Sequence, residues 1–212
     1  MILRKFLVVM AAAILSAAQA VAAVDAETAF KSAPVSVFPL LDRSTRLDMV
    51  DYFNSGMDTP SGNALDGKSR ITRLTPRTLD IRMTDASAYS LNILDMGNGS
   101  AIAVVRTVDT PAPDSKMTVY TDDWASVITD KVFSRPVLRD WLTPEGRKNI
   151  DEVESLVPFL MIDYQIDAES SSLKLTNNLK TFLAEEIYDM VAPYFLESLT
   201  YKWDGKKFNL VK

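Results

Sequence analysis

The residues of this chain best suited to chemistry are paired aspartates. Asp163 and Asp167 lie four positions apart in an alternating apolar and polar run, so a strand would place both on one face. Two carboxylates facing one substrate are the machinery of glycan hydrolysis, but four residues of strand separate their α-carbons by about 13 Å, beyond the roughly 5 to 9.5 Å of working pairs. We therefore interpret them as a solvated strand face, with carboxylate-dependent glycan hydrolysis as the alternative.

Two further acidic pairs offer oxygen atoms but no complete site. Asp122 and Asp123 are adjacent and could donate ligands to Ca²⁺, yet such a site needs roughly six or more oxygens and no loop here spaces acidic residues for it. Asp48 and Asp51 fall early in a predicted helix, where carboxylates stabilise the positive end of the helix dipole. We expect no metal ion and no cofactor.

Histidine and cysteine are both missing from the 212 residues. Their absence excludes a Ser-His-Asp triad, a Cys-His dyad, a zinc site with the usual ligands and a c-type haem. The formal net charge of −5 makes nucleic acid and anionic lipid poor partners. We expect a protein without catalytic residues.

The best candidates for binding a partner are Tyr120, Asp122, Asp123 and Trp124. They follow one another where a predicted strand becomes a loop, and amphipathic aromatic side chains beside acids can anchor a protein, a peptide or a sugar ring. The competing interpretation is that Trp124 belongs to the core, because large aromatic side chains are highly buried on average.

Periodicity predicts the elements that must position these residues. Ser44 is a plausible N-cap for a helix with the stripe Leu47, Val50, Phe53 and Met57, which Gly56 would end. Alternation and turn residues then predict five strands, at 71–75, 79–84, 89–94, 101–108 and 116–121. Their connections are too short for parallel crossovers, so they form an antiparallel meander. The run 101–105 lacks alternation and is expected to be its most buried strand.

The second half predicts a helix at 143–157, a strand at 159–167 with a shorter partner around Leu173 and Leu175, and a helix at 178–192. The chain closes with a hairpin whose Asp204-Gly205 pair suits a type I′ turn. The fold class is α+β, with one or two antiparallel sheets and about three helices packed on one face. The order is helix, five-strand meander, helix, two strands, helix and C-terminal hairpin.

The first 23 residues predict a secretory signal peptide, because Arg4 and Lys5 precede an apolar run of about ten residues and then small residues suited to cleavage. No later run is long and apolar enough to insert into a membrane. We expect a tether at 24–36 and a single domain at 37–212, with a possible subdomain boundary near 125–142. The mature protein would be periplasmic or extracellular.

Several short motifs together resemble a known family. They are Phe38-Pro39-Leu40-Leu41, Arg46 to Tyr52, Asn63 to Ser69, Pro111 to Ser115, Val119-Tyr120 with Trp124, and Tyr201 to Gly205. The combination resembles an uncharacterised secreted family of anaerobic gut bacteria, catalogued as a domain of unknown function. The resemblance implies export and a single-family architecture, and it implies no activity. The function expected is that of an exported, non-catalytic binding protein of the cell envelope; the alternatives are a glycan hydrolase or a structural component of a surface assembly.

Overall fold

The structure is a computed structural model, and it describes residues 24–211. The predicted signal peptide and its cleavage window lie outside the described residues. Two helices come first, α1 (Ala26–Ser32) and α2 (Arg43–Asn54). Six strands follow: β1 (Ser61–Gly62), β2 (Lys68–Leu74), β3 (Thr78–Thr84), β4 (Ser87–Asp95), β5 (Ser100–Val108) and β6 (Asp114–Thr121).

The second half contains short helices and four strands. The helices are α3 (Thr129–Val132), α4 (Pro144–Lys148), α5 (Ile150–Leu156), α6 (Leu179–Phe182) and α7 (Glu185–Val191), with 3₁₀ turns at Leu138–Trp141 and Ala192–Tyr194. The strands are β7 (Ile162–Asp167), β8 (Ser172–Asn177), β9 (Ser198–Trp203) and β10 (Phe208–Leu210). Within each sheet every strand pairs antiparallel with its sequence neighbours, which gives a six-stranded sheet β1 to β6 and a four-stranded sheet in the order β10-β9-β8-β7. The predicted α+β class and meander are confirmed.

Strand β5 is buried on both faces, as its continuous apolar run predicted. Ile102 and Val104 pack with α1 and α2 in one hydrophobic cluster. Ala101, Ala103 and Val105 point the other way, into a second cluster with the four-stranded sheet and the later helices. The helices therefore cover both faces of the six-stranded sheet, because each face carries an apolar strip that must be shielded from water.

The tether predicted at 24–36 is wrong, because this segment forms helix α1 and belongs to the core. Asp25 caps the helix by accepting the Thr28 N–H at 2.7 Å. Ala26, Ala29 and Phe30, at helical spacing, are completely buried. Small residues looked like a linker, but here they let a short helix pack closely on β3 and β4.

Arg46 fixes the end of α1 to α2. It is only 2% exposed, and its guanidinium donates to the carbonyls of Phe30 at 3.0 Å and Ala33 at 2.6 Å. Burial lowers the pKa of this guanidinium. The Phe30 carbonyl also accepts the N–H of the C-cap residue Ala33 at 3.4 Å, so the buried arginine adds donors to the carbonyls at the point where α1 ends.

The buried face of α2 consequently differs from the predicted stripe. Arg46, Met49 and Val50 are buried, whereas Leu47 and Met57 are exposed. The N-cap is Asp42, which accepts the Thr45 N–H at 2.7 Å, and not Ser44.

Two predicted helices are interrupted, and one predicted turn is not of the expected type. The helices expected at 143–157 and 178–192 are each split into two short helices, at Asn149 and near Leu183. In the C-terminal hairpin, φ is positive at Gly205 but not at its neighbours, so the two successive positive values of a type I′ turn are missing. Asp204 instead accepts the N–H groups of Lys206 and Lys207.

In the segment 125–142, where a subdomain boundary was expected, Val132, Phe133, Trp141 and Leu142 are buried. Phe133 and Trp141 belong to the cluster that joins the two sheets. Among the helices described here, none has the length and apolarity to cross a bilayer.

Candidate functional site

The structure places the predicted binding residue Tyr120 at the end of β6 and the other three, Asp122, Asp123 and Trp124, in the loop that follows β6. The loop is closed by the Thr121 N–H, which donates to the Ser126 carbonyl at 2.9 Å, and by a bridge between Tyr120 and Val127. The rings of Tyr120 and Trp124 lie 5.1 Å apart at 57°. These residues are nearly consecutive in the sequence, so their closeness follows from the chain itself.

The two aromatic rings in this loop face inward. Both are half-buried and pack against the cluster beneath α1 and α2. Trp124 adopts a φ of +64°, and its buried indole N–H finds no acceptor within residues 24–211. Much of the aromatic surface is already used for packing, so binding at this loop stays a prediction.

Asp123 in the same loop has a structural role. Its carboxylate accepts the Thr121 hydroxyl at 2.6 Å and the Ala125 N–H at 3.0 Å. These bonds, the Thr121 hydroxyl first, lower the pKa of Asp123. Asp122 is half-buried. One of its carboxylate oxygens lies 3.6 Å from the position that a β-carbon on residue 99, now Gly99, would occupy.

A larger concavity lies where the two sheets meet, and we call it the inter-sheet groove. Its volume is 720 Å³. The six-stranded sheet contributes Arg73, Asp80, Ala88, Ser90, Thr107 and Asp109. The four-stranded sheet contributes Asp163, Gln165, Asp167, Ser172 and Lys174. Polar faces of both sheets thus border the same space.

The floor of the inter-sheet groove is polar because β3 and β4 expose polar residues on the face opposite α1 and α2. A chain of hydrogen bonds runs across it: Thr78 to Asn92 at 3.2 Å, Asn92 to Ser90 at 2.9 Å and Ser90 to Asp80 at 2.6 Å. Asn92 is fully buried, so this chain also satisfies an amide that would otherwise be costly. Asp80 is held at the groove by the last bond.

The wall of the groove is β7, whose edge lies against β6. The N–H groups of Ile162 and Tyr164 donate to the side chains of Asp114 and Ser115, each at 3.1 Å. Side chains thus replace the strand partner that this edge lacks. Asp163 is held in place here, because its carboxylate accepts hydrogen bonds from the Ser115 hydroxyl at 3.3 Å and from the Gln165 side-chain amide at 2.8 Å.

Carboxylates outnumber cations in the groove. Asp80, Asp109, Asp163 and Asp167 line it with Arg73 and Lys174, and Asp109 is paired with Arg82. The pKa of Asp167 is lowered, chiefly by the Ser170 hydroxyl and then by the Ser170 and Glu169 N–H groups, with a smaller effect of Arg73. Ionised carboxylates of this kind accept hydrogen bonds and attract cations, whereas a general acid needs a raised pKa.

Two arrangements that could suggest catalysis or metal binding do not form. Ser171 and Lys174 have a Ser-x-x-Lys spacing, but Ser171 lies in the turn before β8 at a φ of +52°, and within residues 24–211 no hydrogen bond joins the two side chains. Over residues 24–211, no three His, Cys, Asp or Glu side chains lie close enough together to hold a metal ion.

The sequence model of one family matches residues 18–208, nearly the entire chain. The chain belongs to that family, described as a protein of unknown function (DUF3256). The structure is also similar to a solved domain of an uncharacterised protein from Porphyromonas gingivalis W83, with a TM-score of 0.78 and 22% identity over 89% of this chain and 98% of that one. At that identity the likeness shows a common fold. No curated protein matches the chain.

The resemblance inferred from the motifs is thus confirmed as membership of a family of unknown function. Sequence reasoning weighed Asp163 and Asp167 but missed Arg73, Asp80, Asp109 and Lys174. The only available signal was the recurrence of polar residues at every second position of β3 and β4. That pattern does not reveal which other element faces them.

Proposed function

We propose that this member of the family is an exported, non-catalytic binding protein of the cell envelope, and that its ligand lies in the inter-sheet groove. The observation that carries the proposal is the convergence of polar side chains from two sheets on one cavity of 720 Å³. The side chains of Ala88 and Ser90 are small, so they leave open space above the floor of the groove. Cavities of this volume are typical of small-ligand sites.

The chemistry of the lining favours a ligand rich in hydrogen-bond donors. Four aspartates face two cations, and the pairing of Asp109 with Arg82 leaves Asp80, Asp163 and Asp167 as the principal acceptors. Hydroxyl groups of a glycan and amino groups of a peptide both meet this requirement. Polar and apolar atoms line the groove in similar proportion, and the polar contacts would set the specificity.

The same groups support binding more than catalysis. Asp80, Asp163 and Asp167 each hold a structural hydrogen bond, and the chain has no histidine or cysteine to act as base or nucleophile. The alternative of a glycan hydrolase draws support from carboxylates on both sides of one groove. An experiment can separate the two.

The test uses the mature protein, a panel of soluble glycans and a panel of peptides, with calorimetric titration and product analysis. Ala88→Trp fills the groove without removing a side-chain hydrogen bond, and Ala64→Trp at an exposed turn is its matched control. We expect Ala88→Trp to abolish binding and Ala64→Trp to preserve it, with both variants folded.

Three results would change the conclusion. Binding that survives Ala88→Trp in a folded variant would remove the groove as the ligand site. Loss of binding only in Trp124→Ala would move the site to the loop after β6. Glycan turnover that a single Asp163→Asn or Asp80→Asn abolishes would replace the binding protein with a hydrolase.

A further inference from the structure

The outer edge of β2 is only partly covered. Strand β1 pairs with β2 at Lys68 and Ser69 alone. Beyond them, from residue 70 to residue 74, no other strand of the described chain lies on that side. A strand edge of this kind presents main-chain donors and acceptors that a further strand can use.

The direction in which the main-chain N–H and C=O groups of β2 point follows from the hydrogen bonds between β1 and β2. The Asn63 N–H donates to the Gly67 carbonyl, which makes Ser61 and Ser69 the next hydrogen-bonded pair between β1 and β2. The N–H and C=O of Ile71, two residues on, therefore point to the same outer side. On the inner side, Arg70 and Arg73 are opposite Arg82 and Asp80, with a bulge between. Ile71 is thus the residue whose main chain is open to a partner.

A pocket lies directly beside this edge, between β2 and the end of α2. Its volume is 470 Å³. The lining is Phe53, Gly56, Met57, Asp58, Arg70, Ile71 and Thr72. Met57 is 48% exposed there. The pocket has the size and the apolar walls to take one side chain of an added strand.

Charge decides which occupant fits. Lys68, Arg70 and Arg73 are all exposed on this one strand. The ion pair of Arg70 with Asp58 is long, at 3.4 Å, and its aspartate side chain is 83% exposed. A second copy of β2 would bring the same three cations into one short ladder, which is destabilising. An acidic strand would instead be attracted.

We propose that an extended acidic segment of a partner polypeptide adds to β2 at Ile71 and inserts one apolar side chain into the pocket of Phe53 and Met57. Main-chain bonds would supply affinity, while the pocket and Arg70 would supply specificity, as in other cases of strand addition. The bulge between Ile71 and Arg73 keeps the ladder short. Of the residues invoked for this contact, Arg73 also lines the inter-sheet groove, whereas Ile71, Arg70 and the pocket beside them do not, so the contact does not depend on a ligand in the groove.

The test uses a capped, fluorescently labelled heptapeptide of alternating Glu and Leu, and its Lys-for-Glu counterpart. Binding is followed by anisotropy, and amide hydrogen exchange reports the Ile71 N–H. We expect the Glu peptide to bind and to protect that amide. Arg70→Glu should weaken binding by about tenfold or more, while Lys202→Glu, a charge reversal at an exposed residue of β9 in the other sheet, should leave it unchanged.

Each contrary outcome overturns the proposal. Equal binding of the Lys peptide would show that charge does not select the occupant. Undiminished binding after N-methylation of the Glu peptide at every second residue, in both registers, would exclude strand addition. Absence of binding at millimolar peptide, or protection confined to β7, would remove this edge as the site. Dimerisation of the protein abolished by Arg70→Glu would identify a second copy as the occupant.

Discussion

Gly146 lies where α4 meets the 3₁₀ turn Ala192–Tyr194, and replacing it with alanine should destabilise the protein. A β-carbon at this position would lie 2.4 Å from the Tyr194 carbonyl oxygen and 3.0 Å from the Tyr194 β-carbon. That carbonyl cannot simply move, because it accepts the Thr143 N–H at 2.9 Å. The neighbouring bridge between Leu142 and Phe195 holds the same two segments together.

The magnitude depends on two opposed effects. Helix propensity alone favours alanine over glycine by about 1 kcal/mol. Overpacking against a fixed backbone costs about 1 to 3 kcal/mol, and loss of the Thr143 to Tyr194 hydrogen bond adds about 1 kcal/mol. We expect Gly146→Ala to lower the free energy of unfolding by about 1 to 3 kcal/mol, which corresponds to a drop in Tm of roughly 2 to 12 °C at this chain length.

The measurement is urea and thermal unfolding of the mature protein, followed by circular dichroism. Gly62→Ala is the matched control, because a β-carbon there meets no atom within 4 Å and its φ is not positive. Its stability should change by no more than about 0.5 kcal/mol. A higher Tm for Gly146→Ala than for the wild type would show that the close approach to Tyr194 does not exist, and would refute the reasoning.

Three other outcomes are expected. Gly205→Val should cost about 1 to 3 kcal/mol, because a β-branched residue is strained at a φ of +87°; unchanged thermal unfolding would contradict this. The pKa of Tyr201 is raised to about 12, chiefly by burial and then by the charge of Asp140. The neutral hydroxyl therefore stabilises the folded state fully below pH 10, and this contribution is lost as the pH rises through about 12. Burial also raises the pKa of Tyr164. Ultraviolet titration should therefore show late tyrosine ionisation, and Tyr201→Phe should remove the part of it near pH 12. N-terminal sequencing of the native protein should begin between Val21 and Val24, and an intact Met1 would exclude cleavage.

Local patterns predicted the elements well where neighbours in sequence are neighbours in space. The meander from β2 to β6 and the C-terminal hairpin have short connections, so turn chemistry and alternation carry the information that defines them. The doubly buried β5 could be predicted for the same reason, since a run without alternation needs cover on both faces. The loop with Tyr120 and Trp124 was found because its residues are consecutive.

Long-range packing decided what those patterns could not. Helix α1 was mistaken for a tether because the role of its small residues becomes visible only in their packing against β3 and β4. Arg46 is buried where it donates to the Phe30 and Ala33 carbonyls at the end of α1, thirteen or more positions away in the sequence. The Gly146 contact with Tyr194 joins residues nearly fifty positions apart, and no local rule contains it.

The sequence by itself determined the α+β class, the antiparallel connections and the absence of histidine and cysteine chemistry, because each follows from residue type or from spacing within about ten residues. Tertiary structure decided where function can reside. The inter-sheet groove exists because β7 docks on Asp114 and Ser115, which brings Asp163 of one sheet opposite Asp80 of the other. Polar faces of two separate sheets look like ordinary solvated strands until packing encloses a space between them.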